Sequence, residues 1–140
     1  FLAKPLLDND FFVINGDVVV NVDMEELFAF HQESKAIATM CVREYSHQIP
    51  YGVIQTNDDS SIKAIVEKPV TSFNINAGIY ILSPSSLDSL SQATYLDMPD
   101  LFSMIIDKGQ QTRVYQLADT WYDVGRREDL QAARKALSID

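Results

Sequence analysis

Cysteine is nearly absent from this 140-residue chain, and it contains no long apolar run. The single cysteine, Cys41, has no partner for an internal disulfide and no metal-ligand spacing around it, so the sequence predicts a small core residue in a strand. No apolar run approaches the roughly 20 residues that a membrane-spanning helix needs, and no secretory signal is visible. We therefore expect a cytoplasmic protein that has no membrane partner.

Positive charge is scarce as well, because 11 Lys and Arg residues stand against 20 Asp and Glu residues, for a net charge of −9. This balance argues against nucleic acid as a partner and against anionic membrane surfaces. It leaves room for a small phosphate ligand, since such ligands are often held through Mg²⁺ and one or two local cations. The length fits a single domain, and a start at Phe1 in place of methionine indicates a piece of something longer.

Glycine is also sparse, with five residues at positions 16, 52, 78, 109 and 125. A glycine-rich loop that wraps a triphosphate needs two or more glycines within a few residues. No two of the five are that close, so the chain carries no such loop.

An apolar stretch near the start, Phe11–Asn15, organises the rest of the prediction. A continuous apolar run that ends in a turn is typical of a strand buried on both faces in the centre of a parallel or mixed sheet. Asp17 then stands at the carboxyl end of the strand, where open α/β sheets bind their ligands. A hairpin turn at Asn15-Gly16 is the alternative, and both interpretations stay open on this stretch alone.

The remaining elements follow from apolar periodicity, caps and turn residues. Asp23, with Glu26 three residues later, starts a helix that runs to about Ser34. Two strands joined by Asn57–Ser60 form a hairpin. The full set of predicted elements is strands at 11–15, 36–43, 51–56, 62–67, 75–82, 112–117 and 120–125, and helices at 23–34, 83–90, 98–108 and 128–139. This order predicts a three-layer α/β fold with a mixed sheet.

Both histidines have ordinary structural explanations. His31 continues the apolar seam of the first helix, which favours a satisfied histidine at the edge of the core over a ligand. His47 precedes Pro50, and we expect a solvated loop residue there.

Two carboxylates are candidates for a metal site. Asp17 and Asp123 each stand near the end of an extended stretch and within two residues of a glycine, which lets a ligand approach the backbone. Mg²⁺ is usually held by one or two protein carboxylates together with phosphates and water. Glu67-Lys68 adds an acceptor for sugar hydroxyls and a cation for a phosphate, although an exposed ion pair explains the same two residues.

Taken together, five motifs in order and approximate spacing resemble the sugar-1-phosphate nucleotidylyltransferase family. They are Asn15-Gly16-Asp17, Tyr51-Gly52-Val53, Glu67-Lys68-Pro69, Asn76-Ala77-Gly78-Ile79-Tyr80 and Trp121-Tyr122-Asp123-Val124-Gly125. With Met98–Phe102 as a further similar stretch, the chain looks closest to the mannose-1-phosphate guanylyltransferase-like members. The resemblance implies a three-layer α/β/α fold with a mixed, mostly parallel sheet of the nucleotide-diphospho-sugar transferase type.

The resemblance also implies a reaction and a site. A sugar-1-phosphate oxygen would attack the α-phosphorus of a nucleoside triphosphate and release pyrophosphate. Asp17 and Asp123 would bind Mg²⁺, and Lys68 would meet the sugar's phosphate and act with them in catalysis. The sugar itself would be bound by Gly52, Glu67, Asn76 and Gly78. A homo-oligomer is a further possibility.

One departure limits the match, because family members open with a glycine-rich loop and a downstream Pro-Lys-Pro, and neither is present here. We therefore expect residues 1–140 to be the C-terminal portion of a single nucleotidylyltransferase domain, N-terminally truncated, with the sugar-phosphate and metal side. Two hypotheses stay open. The chain is either part of an active transferase or a non-catalytic module that binds sugar nucleotides in regulation or assembly.

Overall fold

A computed structural model describes residues 8–88, 90, 95–118, 121–125, 130 and 133–135. The chain divides into two compact units, one made of residues 1–42 and 76–140 and the other of residues 43–75. No described helix is long and apolar enough to cross a membrane. The elements, in chain order, are β1 Phe11–Ile14, β2 Val18–Val20, α1 Met24–Ser34, β3 Ala38–Gln48, β4 Gly52–Thr56, β5 Ile62–Glu67, β6 Val70–Leu82, a 3₁₀ helix Pro84–Leu87, α2 Met98–Asp107, β7 Thr112–Gln116 and β8 Trp121–Asp123.

The main sheet has the strand order β1-β6-β3-β7. β1 runs antiparallel to β6, and β3 runs parallel to β7, so the sheet is mixed as predicted. The prediction of a central β1 was wrong for the described strands, because β1 stands at one end of this order. Its residues are accordingly half-buried, and Ile14 is 48% exposed.

The two faces of β6 lie in two separate apolar clusters. Ala77, Ile79 and Ile81 pack with Leu27 of α1, and Cys41 lies in the same cluster. Tyr80 and Leu82, which point to the other face because side chains alternate along a strand, pack with Leu101, Phe102 and Ile105 of α2. α1 and α2 therefore cover opposite faces of the sheet. The prediction of Cys41 as a buried strand residue is confirmed, and burial raises the pKa of its thiol to about 12.

Helix α1 begins as its sequence indicates. The Asp23 side chain accepts hydrogen bonds from the backbone N–H groups of Glu25 and Glu26, at 2.9 and 3.0 Å. His31 on this helix is 1% exposed, and its Nδ1 lies 2.7 Å from Thr39 Oγ1. Its Nε2 lies 3.6 Å from Asp10 Oδ2 and has no hydrogen-bond partner within the described residues. The burial lowers the pKa of His31, while the Asp10 carboxylate acts in the opposite direction.

The second unit contains the predicted hairpin. β4 and β5 pair antiparallel, and the backbone N–H of Asn57 donates to the carbonyl of Ser61 across the turn. The predicted end of the preceding strand at 43 was too early, since β3 continues to Gln48 and includes His47. In this extension β3 makes polar contacts with β6, including Ser46 Oγ at 2.8 Å from Ser72 Oγ. The strand therefore continues beyond the point where its apolar pattern ends.

The remaining elements match to different degrees. α2 and β7 lie where they were expected. β6 begins at Val70, five residues before its predicted start. In the predicted 83–90 helix, the described residues form a 3₁₀ helix, Pro84–Leu87. Most of the predicted 128–139 helix lies outside the described residues. Within that range, residues 130 and 133–135 are described, and they are helical.

Candidate functional site

A small cleft in the first unit collects several of the predicted site residues. It encloses about 120 Å³ and is lined by residues from the end of β1, the middle of β6 and the start of β8. Asp17, Asn76 and Gly78, all singled out by the sequence, belong to this lining, together with Asn15 and Trp121. The carboxylate of Asp17 and the amides of Asn15 and Asn76 are polar groups of the kind that orient a hydroxylated or charged ligand.

A bend in β6 shapes the cleft. Gly78 has a φ of +74°, a left-handed conformation that residues with a side chain rarely adopt. The Asn76 side chain accepts a hydrogen bond from the Gly78 N–H at 2.9 Å, and the Asn15 N–H donates to the Gly78 carbonyl at 2.9 Å. The Trp121 indole N–H donates to the Ala77 carbonyl at 2.7 Å. Groups from Asn15, Asn76 and Trp121 thus hold the bend at Gly78 in place.

Asn15 and Trp121 were not predicted as site residues. Both lie inside motifs that the sequence had marked, next to Gly16 and Tyr122. Their contribution is a hydrogen bond to a distant backbone carbonyl, and nothing in a local pattern indicates such a bond. Their position within the motifs was the one available signal.

The structure brings the backbones of the two candidate metal ligands side by side. β2 and β8 pair antiparallel with Val18 opposite Asp123, and the Val124 N–H donates to the Asp17 carbonyl at 2.9 Å. The Asp17 side chain is exposed and lines the cleft. For Asp123 the description covers the backbone only. Two carboxylates that share one Mg²⁺ are expected roughly 4–8 Å apart in the absence of the metal, and for Asp17 and Asp123 this separation stays a prediction.

The donor set suits Mg²⁺ better than a metal that requires a full protein cage. Within the described residues no group of three or more His, Cys, Asp or Glu side chains converges. Mg²⁺ is commonly held by one or two carboxylates and takes its other ligands from phosphates and water. An exposed carboxylate at a cleft, beside a strand that carries a second aspartate, fits this requirement.

The second unit holds the other predicted residues. Gly52 pairs with Glu67 across β4 and β5, and a Cβ at Gly52 would lie 2.9 Å from Glu67 Oε2. Glycine therefore leaves room for the Glu67 carboxylate to cross the strand. Lys68 has a φ of 45°, and its backbone is held by its own N–H donating to Tyr51 and by Gln48 Nε2 donating to its carbonyl.

The predicted site residues thus form two groups. Asp17, Asn76 and Gly78 line one cleft of the first unit, with the backbone of Asp123 adjoining Asp17. Gly52, Glu67 and Lys68 adjoin one another in the second unit. The convergence of all of them on one ligand stays a prediction.

Comparison with protein families gives a match to the nucleotidyl transferase model over residues 2–138. The chain belongs to the nucleotidyl transferase family. Among named relatives of this nucleotidyl transferase chain, the mannose-1-phosphate guanyltransferase of Schizosaccharomyces pombe is 38% identical over 136 residues, which are 91% of this chain and 37% of that protein. The UTP–glucose-1-phosphate uridylyltransferase of a Synechocystis strain is 32% identical over 143 residues, which are 96% of this chain and 37% of that protein.

Solved structures show the same fold. A putative glucose-1-phosphate thymidylyltransferase from Bacillus anthracis, in complex with sucrose, superposes with a TM-score of 0.68 at 19% identity, over 96% of this chain and 57% of that one. HddC from Yersinia pseudotuberculosis gives a TM-score of 0.66 at 21% identity, over 97% of this chain and 59% of that one. The nucleotidyl transferase chain described here therefore spans little more than a third of its named relatives and somewhat over half of these structures.

Proposed function

We propose that this chain supplies the sugar-phosphate and metal side of a sugar-1-phosphate nucleotidylyltransferase. The observation that carries the proposal is the cleft of the first unit, where Asp17, Asn76 and Gly78 meet beside the strand of Asp123. In the proposed reaction an oxygen of the sugar-1-phosphate attacks the α-phosphorus of a nucleoside triphosphate. The bond to the β-phosphate oxygen breaks, and pyrophosphate leaves with its electron pair.

Each predicted residue has a role in this proposal. Asp17 and Asp123 would hold Mg²⁺, which neutralises phosphate charge when bound. The Lys68 ammonium would bind the phosphate of the sugar, and its strained backbone is held by two hydrogen bonds that fix where the side chain starts. Glu67 and Asn76 would bond sugar hydroxyls, and Gly52 and Gly78 would admit the ligand close to the backbone.

Catalysis without a covalent enzyme intermediate depends on positioning and on charge neutralisation. The cleft supports the positioning part, because Asn15, Asn76 and Trp121 each fix the Ala77-Gly78 turn by a hydrogen bond of 2.7 to 2.9 Å. Because these hydrogen bonds already fix the backbone of this part of the site, it changes little when a ligand binds. Little binding free energy is then spent on ordering the protein.

The substrates that we propose are taken from those in the names of the relatives. The named relatives act on mannose-1-phosphate with a guanylyl group or on glucose-1-phosphate with UTP. We propose a GDP-mannose-like product, with the glucose and uridine pair as the alternative outcome of a substrate panel. We further propose that the protein is cytoplasmic and forms a homo-oligomer. In this proposal its complete domain has the three-layer α/β/α form with a mostly parallel sheet, and residues 1–140 are the C-terminal portion of that domain.

Kinetics on the full-length gene product test the function. Glu67→Ala and Lys68→Ala should each raise KM for the sugar phosphate about ten- to a hundredfold, since a hydrogen bond to a charged group is worth roughly 1.5–3 kcal/mol. KM for the nucleotide should change little. Lys63→Ala, which removes an exposed lysine from strand β5, the strand that contains Glu67 and ends just before Lys68, is the matched control.

Two outcomes would contradict the proposal. Wild-type kinetics for the sugar phosphate in both variants would mean that Glu67 and Lys68 are exposed surface charges that do not bind the substrate. A complete absence of transfer with every sugar phosphate and triphosphate, while sugar nucleotides still bind, would favour the non-catalytic module.

A further inference from the structure

Tyr80 is a buried residue in contact with a predicted substrate-binding residue. Its hydroxyl lies 2.7 Å from Asn76 Nδ2, and the residue is 2% exposed. Its ring packs against Phe102 of α2 with the centroids 5.9 Å apart. A ring packed in this way cannot swing, so the position of its hydroxyl is fixed. Burial raises the pKa of Tyr80, with the bond from Asn76 opposing, so the hydroxyl is neutral and able to accept a hydrogen bond.

The backbone decides which end of the Asn76 amide meets Tyr80. The Gly78 N–H can only donate, so the amide atom 2.9 Å from it is the oxygen. The NH₂ group then faces the Tyr80 hydroxyl, which accepts one of its two hydrogens. The second hydrogen stays available to a ligand in the cleft that Asn76 lines.

We propose that Tyr80 is a positioning residue for the sugar phosphate and acts through Asn76. This inference rests on the proposed function, in which Asn76 bonds a sugar hydroxyl. The Tyr80 hydroxyl and the Gly78 N–H hold the two ends of the amide, so its free N–H has one direction in the cleft. Without the hydroxyl, Gly78 alone holds the amide, and the terminal torsion of an asparagine is soft. The donor would then reach the sugar in the right direction for only part of the time.

Kinetics of Tyr80→Phe in the full-length gene product provide the first test. The variant keeps the ring and its packing on Phe102 and removes the hydroxyl alone. KM for the sugar-1-phosphate should rise roughly two- to tenfold, the effect of one neutral hydrogen bond. KM for the nucleotide and kcat should stay near wild type. Tyr115→Phe, which removes a hydroxyl from a tyrosine packed on Phe30, is the matched control and should change neither KM.

A double variant shows whether Tyr80 acts through Asn76. If it does, Tyr80→Phe combined with Asn76→Ala should have the same KM for the sugar phosphate as Asn76→Ala alone. Additive effects of the two substitutions would overturn the proposal, because they would mean that Tyr80 acts independently. A nucleotide KM that rises as much as the sugar-phosphate KM would overturn it too.

A spectroscopic readout separates this inference from the proposed function. If the full-length gene product shows no transferase activity, the proposed function is refuted. The side-chain NH₂ resonances of Asn76 in the ¹⁵N-labelled protein still report the orientation of the amide in that case. Tyr80→Phe should shift these resonances, and Tyr115→Phe should leave them in place. Unchanged Asn76 resonances in Tyr80→Phe would refute the positioning role by themselves.

Discussion

Gly78→Ala should destabilise the protein more than the same substitution at a glycine in open space. A Cβ built on Gly78 would lie 2.8 Å from Asn15 Nδ2 and 3.0 Å from Val18 Cγ2. Its φ of +74° adds strain, since a residue with a Cβ in the left-handed region costs about 1–2 kcal/mol. The contact with the stiff, β-branched Val18 side chain costs roughly another 1–3 kcal/mol, because Val18 has little freedom to move away. The free energy of unfolding should therefore fall by about 2–5 kcal/mol.

Gly109→Ala is the matched control for the strain alone. Gly109 has a φ of +68°, and a Cβ there would meet nothing within 4 Å. The expected loss is about 1–2 kcal/mol, from the backbone conformation only. The difference between the two variants then isolates the crowding against Asn15 and Val18.

Urea unfolding of the two variants measures this difference. If the dependence on urea is unchanged at roughly 1–3 kcal/mol per molar, the Gly78→Ala midpoint should lie about 1 M below that of Gly109→Ala. Asn15→Ala in the Gly78→Ala background removes the closest atoms and should recover part of the loss. Equal midpoints for Gly78→Ala and Gly109→Ala would refute the close packing of the β6 turn.

Three further predictions concern the second unit, the buried histidine and the nucleotide. Gly52→Ala should displace the Glu67 carboxylate, which would lie 2.9 Å from the new Cβ, and kinetics should show a raised KM for the sugar phosphate. Calorimetry should show nearly unchanged stability, because the carboxylate is the end of a flexible side chain and can move away. Burial lowers the pKa of His31, so below its unfolded pKa of about 6.5 the unfolded chain binds more protons than the folded one. The free energy of unfolding should thus decrease as the pH is lowered from 7 to 5.5, by at most about 1.4 kcal/mol per pH unit. His31→Gln should make the free energy of unfolding less dependent on pH in this range. His47→Gln, at an exposed position, should leave the dependence as it is in the wild type. The 140-residue chain should bind nucleoside triphosphates only weakly, since it has no glycine-rich loop, and micromolar binding in isothermal titration with Mg²⁺ would contradict this.

Apolar patterns and turn residues predicted the elements whose packing they determine. The β4–β5 hairpin, α1 and α2 were all expected from their caps, turns and periodicity. The ends of β3 and β6 were not, because polar contacts such as Ser46 to Ser72 extend those strands where no side chain is buried. The prediction used the pattern of buried apolar side chains as its signal. Strands that pair where their side chains are exposed do not produce this pattern.

The candidate site divides along a similar line. The motifs marked Asp17 and Asp123, and the structure pairs their strands. The bend at Gly78 and its supports were not predicted, because Trp121 reaches the Ala77 carbonyl across 44 positions of sequence. A bond of that kind is a product of the tertiary fold, and no local pattern contains it.

Pyrophosphate release by the full-length gene product, measured for Asp17→Asn, Asp123→Asn and the double variant, tests the central claim most directly. If the two carboxylates hold one Mg²⁺, each single substitution should lower kcat roughly a hundredfold or more, because the metal supplies several kcal/mol of charge stabilisation. The double variant should then be no slower than the slower single one. Asp100→Asn, at an exposed position on α2, should retain wild-type turnover. Near-normal turnover in either single variant, or losses that multiply in the double variant, would contradict a shared metal site.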